Sequence, residues 1–205
     1  MHEKAFTDTA AKLFPSFSRF TDFYLVGGTA LALHLGHRKS VDFDFFTAKE
    51  LSANLLGRVK RVFSSFPIVV TYRAFEQLNL TIAGIKTTFF YFAYPVVEPL
   101  ITYRENKVAS VHEIAAMKAF ALGKRLAYKD YVDWYFLLKE RHVTLSRVLE
   151  LAQKKFGGDF NDRLFLGQLV SLEDVPTQEI DFLRDPVDRK TIETFLKTTV
   201  RDFKI

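Results

Sequence analysis

The order of apolar and polar residues over the first hundred positions predicts short strands and helices separated by turns. Phe23-Tyr24-Leu25-Val26 is an aromatic and β-branched run that stops at Gly27-Gly28, which is typical of a buried strand entering a turn. Further strands are predicted at 41–46, 68–72, 78–82 and 85–92, the last two joined as a hairpin. Helical patterns lie at 5–20, 29–35 and 48–66.

After Tyr103 the apolar positions recur at the three- to four-residue spacing of amphipathic helices. The stripe Tyr131, Trp134, Tyr135 and Leu138 indicates a helix whose aromatic side packs into the core. Helices are predicted at 111–122, 130–140, 144–155, 160–170 and 189–200. Strands followed by helices indicate an α+β fold. We expect a single domain over 1–205, with a sheet core over about 1–102 and a helical C-terminal part over about 103–205.

Composition narrows the possible chemistry. Hydrophobic residues make up 48% of the 205 residues, enough for a substantial core, and 22 of them are Phe. The absence of cysteine excludes disulfides, thiolate metal sites and a cysteine nucleophile. No stretch resembles a signal peptide or the roughly 18 apolar residues of a membrane helix, so a cytoplasmic protein without membrane contact is expected. The net charge of +5 favours phosphate-bearing partners, although a solubilising surface excess explains it equally well.

Two aspartates form the first candidate site. Because side chains alternate along a strand, Asp42 and Asp44 project to one face and Val41, Phe43 and Phe45 to the other. Two neighbouring carboxylates repel each other unless a cation lies between them, and their oxygens suit hard ions such as Mg²⁺. The alternative is a solvated strand face, which is the commoner meaning of an isolated Asp-x-Asp.

A candidate phosphate site precedes the acidic pair. Gly27-Gly28-Thr29 joins a strand to a helix, where small residues allow a phosphate to approach backbone N–H groups. Together the turn and the acids would form the two halves of a nucleotide site. Arg38, Lys39 and Ser40 are placed to contact a triphosphate, with simple surface exposure as the alternative. His34 and His37 lack metal-ligand spacing, so we interpret both as structural.

These residues resemble the AbiEii/AbiGii-type nucleotidyltransferase toxins, part of the DNA polymerase β-like nucleotidyltransferase superfamily. The resemblance covers about residues 20–140. Its first block is Gly27-Gly28-Thr29-Ala30-Leu31, Arg38-x-Ser40 and Asp42-Phe43-Asp44-Phe45-Phe46. Its second block is Glu113-Ile114-Ala115-Ala116-Met117-Lys118, then Lys124-Arg125, then the run from Lys129 to Leu138.

The resemblance implies a minimal nucleotidyltransferase fold, in which a small mixed sheet is followed by a helical part. It implies Mg²⁺- or Mn²⁺-dependent transfer of a nucleoside monophosphate from a nucleoside triphosphate to an acceptor such as tRNA or another RNA. It also implies the toxin of a toxin–antitoxin or phage-defence system, with a separate antitoxin protein as partner. By position, the nucleotide-binding residues would be Gly27, Gly28, Thr29, Arg38 and Ser40, the metal ligands Asp42 and Asp44, and the further catalytic residues Lys118 and Asp130.

The chain departs from the superfamily pattern at one position. A third carboxylate usually comes from a neighbouring strand, and the matching strand here carries Thr87 and Thr88. A threonine cannot act as the base, so activation of the acceptor would weaken. Glu76 or Glu98 would be the substitutes. The alternative function is therefore a nucleotide- or RNA-binding module with weak or no transfer, and a third is an interaction protein with exposed aromatic residues.

The basic residues of the second block also indicate a surface that faces phosphate groups. Lys118, Leu122 and Arg125 share one helical face if the helix continues through Gly123. The alternative is a solvated helix on which Lys129 pairs with Asp133. Six basic residues lie between positions 103 and 129: Arg104, Lys107, Lys118, Lys124, Arg125 and Lys129.

Overall fold

The computed structural model describes residues 1–122, 124 and 127–204. Its strands are β1 (Tyr24–Val26), β2 (Phe43–Thr47), β3 (Ile68–Arg73), β4 (Gln77–Ile82), β5 (Ile85–Tyr91), β6 (Ile101–Tyr103) and β7 (Asn106–Val108). The α-helices of these residues are α1 (Asp8–Leu13), α2 (Gly27–Leu35), α3 (Leu55–Val62), α4 (Val111–Leu122), α5 (Tyr128–Lys139), α6 (Leu145–Phe156), α7 (Asp162–Leu169) and α8 (Arg189–Asp202).

All seven strands form one mixed sheet in the order β3-β4-β5-β2-β1-β7-β6. At its centre, β1 pairs antiparallel with β2 and parallel with β7, while β2 runs parallel to β5. Because β1 leads directly into α2, the glycine turn lies at the end of a central strand and the acidic segment lies on its neighbour. The sheet thus places both predicted half-sites side by side.

The two faces of the sheet differ as the alternation in the sequence predicts. Phe43, Phe45 and Phe89 point to one face and are buried. There they pack around Phe17, whose ring centroid lies 4.5 Å from that of Phe45 and 4.8 Å from that of Phe63. Part of the large Phe content therefore fills the core on this side. The acidic side chains occupy the opposite face.

The predicted α+β fold is confirmed, and most predicted elements match the observed ones closely. The predicted helix over 5–20 is divided into α1 and a 3-10 helix (Phe14–Arg19), because Pro15 has no N–H to continue the α-helical hydrogen bonds. The predicted helix over 48–66 is reduced to α3. The aromatic stripe of α5 is core, since Tyr131 and Trp134 are fully buried.

Two strands, β6 and β7, were not predicted. Each has three residues, and Asn106-Lys107-Val108 carries too little apolar pattern to indicate a strand on its own. β7 joins the sheet because Val108 pairs with Leu25 of β1, so the sheet continues beyond residue 102. Among the residues described above, no helix has the length and apolar character needed to cross a membrane.

Candidate active site

A cavity of about 630 Å³ lies between the central strands and helices α4 and α5. It is lined by the junction of β1 with α2, the loop that leads into β2, the polar face of β2 and residues from both helices. Residues from both halves of the chain therefore meet in one place. All nine residues predicted as site residues line it: Gly27, Gly28, Thr29, Arg38, Ser40, Asp42, Asp44, Lys118 and Asp130.

The acidic pair lies at the start of β2. Asp42 immediately precedes the strand and Asp44 is its second residue, and both are half-buried while Phe43 between them is buried. Asp44 is aligned with Val26 of β1 and with Thr88 of β5. The two carboxylates thus belong to the wall of a cavity rather than to an outer, fully solvated strand face.

The two glycines leave room for site side chains. Gly27 has a φ of +72°, and a Cβ there would lie 2.7 Å from Asp44 Oδ2. A Cβ at Gly28 would lie 2.7 Å from Arg38 Nη2. The space that a side chain would take at these positions is therefore already occupied by a carboxylate and a guanidinium. The turn is glycine-rich because two charged groups approach its backbone, in addition to any phosphate.

Hydrogen bonds connect the first turn of α2 to the segment before β2. The Thr29 hydroxyl donates to the backbone carbonyl of Asp42 and lies 2.8 Å from Ser40 Oγ. The backbone N–H of Ser40 donates to the carbonyl of Ala5 at 3.0 Å. Thr29 consequently holds the backbone of Asp42 beside the glycine turn, and Ser40 ties the same segment to Thr29 and Ala5.

A buried charge cluster is centred on Asp133 of α5, and three of its members, Arg38, Lys118 and Asp130, line the cavity. The Asp133 carboxylate accepts hydrogen bonds from Arg38 Nε at 2.8 Å and Nη2 at 3.0 Å, and from His37 Nε2 at 2.7 Å. Lys118 Nζ lies 2.6 Å from Asp133 Oδ2 and 2.8 Å from Asp130 Oδ1. The cluster therefore joins α4, α5 and the loop before β2 through charge-assisted hydrogen bonds.

Ion pairing shifts the pKa values of Asp133 and Lys118 more than burial does. Burial raises the pKa of Asp133, but Arg38 and Lys118 bring it well below its ordinary value. Burial likewise lowers the pKa of Lys118, yet Asp130 and Asp133 raise it overall. For His37 burial is the stronger effect and lowers the pKa. At neutral pH the Asp133 carboxylate is thus ionised and is bound by a guanidinium, an ammonium and a neutral imidazole that donates from Nε2.

The sequence interpretation missed Asp133, which binds the cavity residues Arg38 and Lys118. The sequence does contain a pattern that could have indicated Asp133. Asp130 and Asp133 are spaced i, i+3 on a helix that otherwise buries aromatic residues. A carboxylate on such a face must find cations. Arg38 and Lys118 are those cations.

Two alternatives and one interpretation from the sequence can now be assessed. Surface exposure of Arg38 is wrong, since the residue is 5% exposed and bound to Asp133. The predicted pairing of Lys129 with Asp133 is also wrong, because Asp133 is fully buried and binds His37, Arg38 and Lys118 instead. His34 has a structural contact, with Nε2 2.8 Å from the carbonyl oxygen of Ala109. The predicted face containing Arg125 depends on Gly123, and both lie outside the described residues.

The position of the missing third carboxylate is occupied by Thr88, which lies beside Asp44 in the parallel register of β2 and β5. Glu98 instead pairs with Arg147, 2.7 Å away, and Glu76 is exposed in the turn between β3 and β4. Neither is among the described lining residues. In the part of the chain that is described, no three acidic or histidine side chains gather as a metal-binding group.

Comparison with known proteins extends over nearly the whole chain. The family model described as "Nucleotidyl transferase AbiEii toxin, Type IV TA system" matches residues 12–104 and 95–204. An uncharacterized protein of Aquifex aeolicus (strain VF5) is 31% identical over 187 residues, which cover 89% of this chain and 88% of that protein.

Two solved structures are similar to this fold at low sequence identity. MenT4, a nucleotidyltransferase toxin of Mycobacterium tuberculosis, has a TM-score of 0.66 at 16% identity, covering 95% of this chain and 85% of that one. A Helicobacter pylori protein provisionally named a nucleotidyltransferase has a TM-score of 0.62 at 23% identity, covering 98% and 95%. With the family match over both halves of the cavity, the chain belongs to the AbiEii family of nucleotidyltransferase toxins.

Proposed function

We propose that this nucleotidyltransferase transfers a nucleoside monophosphate from a nucleoside triphosphate to a hydroxyl group of an RNA acceptor such as tRNA, with Mg²⁺ or Mn²⁺ as cofactor. The observation that carries the proposal is the convergence in one cavity of two carboxylates, a glycine turn and two buried cations. The carboxylates suit a divalent cation and the cations suit phosphate oxygens.

The donor set of the cavity fits a magnesium ion. Asp42 and Asp44 provide hard oxygen ligands on one wall. Two carboxylates are sufficient, because protein-bound Mg²⁺ usually keeps water molecules and substrate phosphate oxygens as its other ligands. When bound, the ion would neutralise phosphate charge and polarise the reacting phosphoryl group.

The residues of the chain contribute mainly positioning and charge. Arg38 and Lys118 would contact the triphosphate with orientations that Asp133 fixes in advance, so little reorganisation accompanies the reaction. The acceptor oxygen forms a bond to the α-phosphorus while the bond from that phosphorus to pyrophosphate breaks, and the acceptor hydroxyl gives its proton to solvent water. Such transfers require little covalent chemistry from the protein.

A second function is favoured by one specific observation. Thr88 lies beside Asp44 where a third carboxylate would help to activate the acceptor. A nucleotide- or RNA-binding module with weak or no transfer would have this arrangement. It predicts that nucleoside triphosphates with Mg²⁺ raise the melting temperature of the protein without turnover.

The first test is incorporation of label from each nucleoside triphosphate, with Mg²⁺, into total tRNA. We expect Asp44→Ala to reduce incorporation by more than about 100-fold, because it removes a ligand of the cofactor. Asp185→Ala, at an exposed position outside the cavity, is the matched control and should retain wild-type incorporation. Equal incorporation by wild type and Asp44→Ala would refute the transferase proposal, and stabilisation without incorporation would support the binding module.

The biological role implied by the family is part of the same proposal. We expect expression of the wild-type chain to arrest bacterial growth and the Asp44→Ala chain to be tolerated. A separate antitoxin protein, supplied from a second plasmid, would then relieve the arrest. Equal growth of cells expressing the two chains would contradict the toxin role.

A further inference from the structure

The second end of the cavity is mainly aromatic. Phe46 of β2, Phe90 of β5, Phe92 and Phe120 line it, and all four are only partly buried. The ring centroids of Phe46 and Phe90 are 5.1 Å apart, and those of Phe46 and Phe92 are also 5.1 Å apart. A group of half-exposed aromatic rings in a cavity that also contains carboxylates and cations is a feature that points to a ligand.

Strand register relates the aromatic end to the acidic end. Asp44 and Phe46 are two residues apart on β2, and their partners on β5 are Thr88 and Phe90. Because side chains two residues apart share a face, Phe46 and Phe90 form the next row after Asp44 and Thr88. The rows are separated by about 6.6 Å along the strands. That separation matches the ribose that joins an α-phosphate to its base.

Two of the four rings are already packed against other groups. Phe120 stacks on Phe156 with centroids 4.0 Å apart, and Lys124 Nζ lies 3.8 Å from its centroid. Phe92 packs on Tyr94 at 5.1 Å. Within the described residues, the ring contacts of Phe46 and Phe90 are with each other and with Phe92. These two rings therefore have fewer aromatic partners than Phe92, and neither has a stacked partner, as Phe120 does, in the part of the chain that is described.

We infer that Phe46 and Phe90 form a subsite on which the base of the nucleoside triphosphate stacks. The inference rests on the proposed function and extends it to the base. Stacking uses the face of the base, which every nucleobase possesses. All four nucleoside triphosphates should accordingly gain affinity from this subsite, compared with a triphosphate that carries no nucleoside.

Calorimetry with Mg²⁺ tests the subsite, using ATP, GTP, CTP, UTP and inorganic tripolyphosphate as probes. We expect wild type to bind each nucleoside triphosphate about tenfold more tightly than tripolyphosphate, within the range that base–aromatic stacking gives. Phe46→Leu keeps the apolar volume but removes the ring, so it should abolish this difference and leave tripolyphosphate binding unchanged. Phe75→Leu, at a 64% exposed position outside the cavity, is the control.

A fluorescent variant provides an independent readout on a folded protein. Phe46→Trp keeps an aromatic ring, and we expect its added indole emission to be quenched by ATP but not by tripolyphosphate. Equal wild-type affinity for ATP and tripolyphosphate would overturn the subsite while leaving the phosphate and metal site intact. Tighter ATP binding that Phe46→Leu does not weaken would place the base elsewhere and also overturn it. Failure of both ligands to bind would instead refute the proposed function itself.

Discussion

Asp133 and Glu113 are buried carboxylates that each hold a lysine, and we expect them to serve different purposes. Asp133 on α5 and Glu113 on α4 are both fully buried. The nearest carboxylate oxygen is 2.6 Å from Lys118 Nζ in the first case and 2.7 Å from Lys155 Nζ in the second. The other oxygen of Glu113 accepts from the backbone N–H groups of Val97 and Glu98 at 3.1 and 3.0 Å, whereas Asp133 binds two further side chains.

The lysines differ in charge balance and in access. Burial lowers the pKa of Lys155, and Glu113 compensates only in part, whereas two carboxylates raise the pKa of Lys118 overall. Lys118 lines the cavity, and neither Glu113 nor Lys155 is among its described lining residues. Burial of a charge therefore does not identify a functional site by itself. Lys118 differs from Lys155 in that it reaches the cavity, whereas the Glu113–Lys155 pair is a structural clamp on residues 95–98.

Replacing Asp133 or Glu113 by its amide should have the largest effect on stability and should show whether the two carboxylates have different roles. Asp133→Asn leaves Arg38 and Lys118 without a full counter-charge, and Glu113→Gln leaves Lys155 in the same condition. We expect each to reduce the free energy of unfolding by about 3–5 kcal/mol, as measured by urea denaturation. Label transfer by the remaining folded protein should be lost in Asp133→Asn and kept in Glu113→Gln.

Two outcomes would contradict the different roles of Asp133 and Glu113. If folded Glu113→Gln lost transfer as completely as Asp133→Asn, the clamp would have to be part of the active site. If Asp133→Asn kept wild-type stability and transfer, its bonds to Arg38 and Lys118 would not determine their positions.

A smaller change tests whether Arg38 is held in place by Asp133. A Cβ at Gly28 would lie 2.7 Å from Arg38 Nη2, and Arg38 cannot withdraw without breaking its two bonds to Asp133. We expect Gly28→Ala to lower the free energy of unfolding by about 1–3 kcal/mol and to reduce transfer.

The matched control is a glycine at which an added side chain would meet no other group. A Cβ at Gly167 in α7 would meet nothing within 4 Å, so Gly167→Ala should raise stability by about 0.5–1 kcal/mol through its higher helix propensity. The same denaturation experiment measures both variants. A Gly28→Ala protein as stable and active as wild type would show that the Arg38 guanidinium moves easily.

The smallest effect concerns the histidine of the cluster. Burial lowers the pKa of His37 and of His34 below the ordinary 6.5, so below about pH 6.5 the unfolded chain binds protons that the folded chain does not. Stability should consequently fall as the pH decreases from 6.5 towards the folded-state pKa values, by at most about 1.4 kcal/mol per pH unit for each histidine.

Urea denaturation between about pH 7.5 and about pH 5 measures this slope. His37→Gln and His34→Gln should each flatten it, and the double variant more than either. The pKa of Asp133 is already well below its ordinary value, so its protonation contributes only at lower pH. An unchanged slope in the double variant would contradict the neutral, buried state of these imidazoles.

The fold was largely predictable from the sequence because its strongest patterns are local. The run 85–92 is almost entirely composed of strand-forming residues, and the α5 stripe has clear helical spacing. β7 was missed because its pairing with β1 is set by tertiary contacts and not by its own three residues. Similarly, nothing in the local sequence of residues 99–108 indicates that this segment joins the sheet next to the glycine turn.

The site was predictable where chemistry and spacing coincide within one segment. The alternation around Asp42 and Asp44 is enough to place both on one face. The partnership of Asp133 with Arg38 was not predictable, because it joins residues 95 positions apart. The aromatic row of Phe46 and Phe90 depends in the same way on the register of two strands that are distant in the chain.

The parallel pairing of β7 with β1 has a consequence for any attempt to divide the gene. The strand after which the glycine turn begins obtains one of its two neighbours from residues 106–108, and the helix bearing Lys118 starts three residues later. A fragment ending at residue 104 would present an unpaired edge of β1 to solvent and lack the ammonium group. Two separately expressed pieces would have to associate in order to re-form the pairing of β7 with β1 and to bring Lys118 to the cavity.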